Sequence, residues 1–105
     1  MLDAELKTKL QPGPERGGVI LTDGTIIEFE NIAENPEEGF CPDIGELIPY
    51  VDDLASTWHT HPNSSSNLSV EDSYTFLCWP FLTHAIIGED GIRWYKVKGR
   101  AVVNA

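Results

Sequence analysis

Between Arg16 and Arg93 the chain contains no lysine or arginine, while fourteen aspartates and glutamates fall in that stretch. Across all 105 residues, seven basic side chains face seventeen acidic ones, for a formal net charge of -10. Such a surface repels a phosphate backbone, so nucleic-acid binding is disfavoured. Long apolar runs are also missing: none approaches the roughly 18 to 20 residues a membrane span needs, and Met1 to Leu10 is too charged for a secretory signal. The expectation is a soluble, cytoplasmic protein with no membrane partner. Cysteine is scarce, with only Cys41 and Cys78 and no CxxC spacing, which argues against a disulfide scaffold and a thiolate zinc site and for plain thiols. No internal repeat is visible. The length suffices for one core and not for two, so residues 1–105 are expected to form a single domain. A hydrophobic content of 41% excludes intrinsic disorder.

What is present has readable periodicity. Leu2, Leu6 and Leu10 recur every four residues among Ala, Glu and Lys until Pro12-Gly13-Pro14, which predicts a short amphipathic helix. Gly18 to Leu21 and Thr25 to Phe29 flank Thr22-Asp23-Gly24 and predict an antiparallel hairpin. Asn31 to Gly45, with its prolines, glycines and acids, predicts a surface loop, followed by a short helix within Ile44 to Leu54. Ala55 to His61 reads as a strand, Pro62 to Leu68 as a loop, and Ser69 to Trp79 as a helix ended by Pro80. Ala85 to Gly88 and Ile92 to Val97, around Glu89-Asp90-Gly91, predict a second hairpin. Trp58, Phe76 and Trp79 are expected in the core. Lys7, Lys9 and Arg16 before the acidic stretch, and Arg93, Lys96, Lys98 and Arg100 after it, form a basic fringe, read first as a solvated face.

The chemically informative stretch is Trp58-His59-Thr60-His61-Pro62, then Asn63 to Leu68, then Ser69-Val70-Glu71-Asp72. Residues two apart on a strand share a face, so His59 and His61 present two imidazoles side by side. Ser69 and Asp72, three apart at a helix start, share a helical face that the intervening loop can turn back toward them. Two imidazoles, one carboxylate and a water make the open tetrahedral set of a catalytic zinc. Each piece has a plainer reading: a strand histidine pair is usually an ordinary polar pair, and Ser69 with Asp72 is equally a helix cap. Chance co-occurrence in this composition is on the order of 2 × 10⁻⁵ over the chain. His84 has no partner at ligand spacing and reads as a hydrogen-bonded or exposed histidine. Cys41 could reach an open metal position, with a plain thiol the better reading.

His59-x-His61-Pro62, six residues, then Ser69-x-x-Asp72 resembles the signature of the JAMM (MPN-plus) zinc metallopeptidases. That family also uses a glutamate near its first strand, and Pro14-Glu15-Arg16-Gly17-Gly18-Val19-Ile20 resembles its context, which makes Glu15 the candidate. Asn31 to Phe40 is similar to the connector in the JAMM half of lambda-like bacteriophage tail assembly proteins. The resemblance runs from Pro14 to about Val97. It implies an α/β (α+β) fold of JAMM/MPN type, with a central, mostly antiparallel curved sheet flanked by helices. It further implies Zn²⁺ held by His59, His61 and Asp72, Glu15 as general base, and Ser69 as a hydrogen-bond donor to the oxyanion. The implied partners are a protein or peptide substrate and other phage tail proteins, with a host-cytoplasmic or tail-associated location. Tail proteins of this kind commonly continue into a cysteine-peptidase domain, so the expectation is that only the metal half is represented. The short connectors lack the insertions that grip ubiquitin in deubiquitinating members, which leaves the substrate open. The competing expectation is a non-catalytic zinc-binding module of tail assembly.

Overall fold

Leu6 explains the first element: helix α1 (Leu2–Lys7) continues as turns to Leu10, and the side chain of Leu6 is fully buried against Ile20, Trp58, Ala85 and Ile87, with Leu2 and Leu10 packed around it. The computed structural model describes residues 2–105. Strands β1 (Gly17–Leu21) and β2 (Ile26–Phe29) pair antiparallel around the Asp23-Gly24 turn, where Gly24 has φ +91°, a conformation that favours glycine. A loop then leads to helix α2 (Ile44–Leu47), capped by Asp43, and a 3₁₀ turn (Ile48–Asp53). Strand β3 (Leu54–Thr60), helix α3 (Val70–Cys78), and strands β4 (Thr83–Gly88), β5 (Gly91–Lys98) and β6 (Ala101–Asn104) complete the chain.

The sheet order is β2-β1-β3-β4-β5-β6. Four of its pairings are antiparallel, and β3 with β4 is parallel. A parallel pair needs a long crossover, and α3 supplies it. Side-chain alternation divides the layers. Trp58, Ala85 and Ile87 face α1, while Ile86 and Tyr95 face α3 and pack on Phe76. The protein is therefore α+β, with an open, mixed six-stranded sheet flanked by helices. Among the described residues, no helix is long and apolar enough to cross a membrane.

Two expectations need correction. Trp79 is not core: it is the C-cap of α3 and half-buried in a cavity wall, because its backbone has left the helix at φ -126°, ψ 61°. Arg16 is not a free member of the basic fringe, since its guanidinium donates two hydrogen bonds to Glu28, of 2.8 and 2.7 Å. Strand β6 has no counterpart in the sequence reading. It follows Gly99, at φ +63°, and its four residues offer too short a pattern to read alone.

Gly88 fixes the loop after β3. A Cβ there would collide with backbone atoms of Ser65 and Ser66, which cross directly over the end of β4. The same loop is pinned by Ser66 N–H to Asp90 (2.7 Å), Glu89 N–H to the Ser64 carbonyl (2.9 Å) and the Tyr95 hydroxyl to the Ser66 carbonyl (2.8 Å). Gly88→Ala is expected to destabilise by about 2 kcal/mol, as overpacking against backbone does. A denaturant midpoint unchanged from wild type would contradict this close crossing.

Candidate metal centre

Strand alternation puts His59 on the α3 face of β3, and His61 follows one residue past the strand end. Its backbone N–H bonds the Ile87 carbonyl at 2.8 Å, which keeps the strand direction through Thr60. Both rings are buried, and their Nε2 atoms lie 3.2 Å apart. Two ligands of a tetrahedral zinc with bonds of about 2.0–2.1 Å are separated by about 3.3 Å. Nδ1 of His61 lies 2.9 Å from the Ser65 carbonyl, which can only accept. His61 therefore carries its proton on Nδ1 and, when neutral, offers a lone pair at Nε2.

Asp72 arrives from α3. Its Oδ1 is 2.9 Å from His59 Nε2 and its Oδ2 is 3.2 Å from His61 Nε2. The start of α3 holds it there through a capping box. The Asp72 N–H donates to Ser69 Oγ at 3.1 Å, and Asp72 Oδ2 accepts from the Ser69 N–H at 3.2 Å. The cap reading of this pair is what the structure shows, and the same cap aims the carboxylate at the two imidazoles. Burial pushes the Asp72 carboxyl up, but hydrogen bonds from His59 and His61 outweigh it and hold the group well below the usual carboxylate range. His61 is drawn down by burial, yet bonding to Asp72 and Ser65 leaves it raised.

Glu15 reaches the same place through sheet register. In the β1–β3 pair Gly17 opposes His59, and the pairing extends beyond β1, because the Thr60 N–H bonds the Arg16 carbonyl at 2.8 Å and Thr60 Oγ1 accepts from the Arg16 N–H at 2.9 Å. Glu15 thus stands opposite His61 on the α3 face. It is buried, and one carboxylate oxygen lies within 4.8 Å of ring nitrogens of both histidines. Burial raises its pKa above the ordinary glutamate value; the nearby His59 and His61 lower it in part, and Asp72 raises it further.

Both carboxylates could serve a metal beside the histidines. Asp72 touches both Nε2 atoms directly, whereas no hydrogen bond joins the Glu15 carboxylate to either ring among the described residues. Glu15, His59 and His61 form a buried group that could hold a metal ion, with Asp72 in contact with both imidazoles beside it. The spacing of the two imidazole nitrogens and the orientation of His61 by a carbonyl are compatible with a shared metal ion, for which both neighbouring carboxylates are candidate donors. Neither Cys41, which is exposed in the acidic loop, nor His84 joins the cluster.

Sequence reasoning assigned no role to Asn31, yet it anchors Glu15. Its side-chain nitrogen donates to the carbonyls of Glu15 (2.9 Å), Pro36 (3.2 Å) and Gly39 (2.9 Å), and its oxygen accepts from the N–H groups of Ala33 and Cys41. One amide thereby folds the acidic loop onto the Glu15 segment, and the Glu15 N–H closes it on the Pro36 carbonyl at 2.7 Å. Asn31 opens the loop segment that the sequence likens to a tail-protein connector, but nothing in its spacing betrays these partners.

His84 has a structural role. It is fully buried and stacked on Phe76 with centroids 4.1 Å apart. Nε2 donates to the Trp79 carbonyl (3.1 Å), and Nδ1 accepts from Thr57 (2.7 Å). Burial pushes its pKa down to about 4, against about 6.5 when unfolded. The unfolded chain therefore binds the extra proton first, so this contribution is intact above about pH 6.5 and is lost as pH falls toward 4. In metal-free protein the loss is expected to be on the order of 2 kcal/mol after allowance for residual solvation. Denaturant titrations at stepped pH check it, with a shallower slope expected for His84→Gln.

No family model matches the sequence, and no curated protein matches it. The fold is similar to the solution structure of protein DSY2949 from Desulfitobacterium hafniense, with a TM-score of 0.75 at 19% identity over 97% of this chain and 84% of that one. At that identity the likeness establishes the α+β fold, with its mixed six-stranded sheet, and nothing about activity.

Proposed function

We propose that the chain is a zinc-dependent metallopeptidase or isopeptidase of the JAMM (MPN-plus) type, acting on a protein or peptide in bacteriophage tail assembly within the host cytoplasm. The observation that carries this reading is the buried Glu15 brought to within 4.8 Å of the histidine pair by strand register. In this reading Glu15 stands beside the metal and not on it, where a buried carboxylate can serve water activation; a centre closed by Glu15 as a fourth protein ligand would keep no open position. Zn²⁺ held by His59, His61 and Asp72 would supply Lewis acidity and a water nucleophile near neutral pH.

The chain's own residues do the rest. Glu15, with its raised pKa, is suited to take a proton from attacking water and return it to the leaving amine. Ser69 Oγ accepts from the Asp72 N–H, which leaves its own proton to donate, and it lies with Glu15 and His61 in the wall of one cleft. It is placed to donate to a developing oxyanion. Asn31 holds the Glu15 backbone, and the Ser65 carbonyl holds the His61 ring.

The test is incubation of purified, zinc-loaded protein with candidate phage tail proteins, read by mass spectrometry. Discrete products are expected, lost on chelation and restored by added zinc. Full zinc occupancy with every candidate protein left intact would instead support the non-catalytic assembly module.

A further inference from the structure

Members of the cluster line two clefts of different character. His61, Glu15 and Ser69 face a polar cleft of about 310 Å³ that also holds Glu37 and Glu38. His59 and Asp72 face the other, a cavity of about 340 Å³ walled by Phe40, Leu47, Phe76 and Trp79 between the acidic loop, α2 and α3. Apart from His59 and Asp72, no charged or ionisable group but the thiols of Cys41 and Cys78 lines it. Its volume is at the small end of the roughly 300 to 1,000 Å³ of ligand pockets, suited to a bulky side chain and too small for a folded surface.

We infer that this cavity is the side-chain pocket of the site, taking a bulky apolar residue of the substrate next to the bond that is cut. The inference rests on the peptidase reading. Adjacency is its ground: His59 and Asp72 line the cavity while their cluster partners His61 and Glu15 line the polar cleft, so an occupant of the cavity lies against the cluster itself. A substrate with its apolar residue in the cavity would thus hold the neighbouring bond at the cluster, on whose other side Glu15 and Ser69 lie. A charged residue in the cavity would lose its hydration with no partner except Asp72.

The exposed thiols of Cys41 and Cys78 in the cavity wall allow a test that needs neither metal nor turnover. Metal-free, reduced protein is mixed with the disulfide of 2-phenylethanethiol or with cystamine under a competing reductant, and adducts are counted by mass spectrometry. The phenylethyl group is expected to be captured at about tenfold lower reagent concentration, as burial of an aromatic group implies. That preference runs against the protein's own negative field, which favours the cation. Thr75→Trp, on the exposed side of α3 at the cavity wall, should fill the space and abolish the preference. Equal capture, or better capture of the cation, overturns the pocket. In a second arm, zinc-loaded protein is given a randomised peptide pool. Cleavage beside Phe, Leu or Trp supports the assignment, and cleavage without residue preference overturns it. Aromatic capture with no peptide cleaved would overturn the peptidase reading alone and leave an apolar-ligand pocket.

Discussion

Glu15→Gln is expected to lower hydrolysis by about 10² to 10⁴, with zinc content and melting temperature near wild type. The range is that of general acid-base catalysis by a positioned group, and the upper end applies because one carboxylate would serve two proton transfers. Stability should hold, because the side chain is buried and its ionised form is already disfavoured there. A neutral amide of the same shape removes that desolvation without opening a cavity. The measurements are single-turnover rates, elemental analysis and thermal melts on the same preparation. Wild-type turnover by the variant would remove Glu15 from the chemistry while leaving the histidine pair and Asp72 as they are.

The second large effect belongs to the ligands. His61→Ala and Asp72→Ala are expected to lower zinc affinity by more than the roughly 10- to 100-fold that follows loss of an outer-shell partner. Asp72 needs a control, since it also closes the capping box. Asp72→Ala should cost about 1 kcal/mol through the cap alone. Asp72→Asn retains an oxygen for the Ser69 N–H but no negative charge for a cation, so it should melt closer to wild type than Asp72→Ala and still bind zinc weakly. Elemental analysis after dialysis, beside thermal melts, separates the two roles; undiminished zinc in both His61→Ala and Asp72→Ala would dismiss this ligand set.

Local signals in the sequence carried the elements well, and global pairing poorly. Leu6, the Asp23-Gly24 turn, Ser69 and Pro80 each act over a few residues, so the α1, β1–β2, α3 and β4–β5 segments were legible from periodicity and turn chemistry. The parallel pairing of β3 with β4 has no local mark, since both strands read only as buried β segments. For the candidate centre, His59, His61 and Asp72 stood out by spacing. Glu15 came only through resemblance, because what brings it to His61 is a register between segments more than forty residues apart in sequence, visible in the Arg16–Thr60 bonds. Asn31 and the Ser65 carbonyl were illegible for a related reason: one acts by accepting and donating to backbone of residues chosen by the loop's fold, the other through a main-chain oxygen that every residue type possesses.

The β1–β3 ladder has one irregularity, between Ile20 and Leu21, where Leu21 pairs with Leu54 and Ala55 is left over. It lies at the turn end of β1, the end away from Glu15. The strand is consequently unequal in its tolerance of changes in length. A residue gained near the Thr22–Thr25 turn falls beyond a point where the ladder already accommodates one extra residue. A residue gained between Glu15 and Gly17 would turn Glu15 to the α1 face, because side chains alternate with a period of two. Drift in chain length can therefore accumulate at one end of this hairpin, while the other end is held to a fixed count.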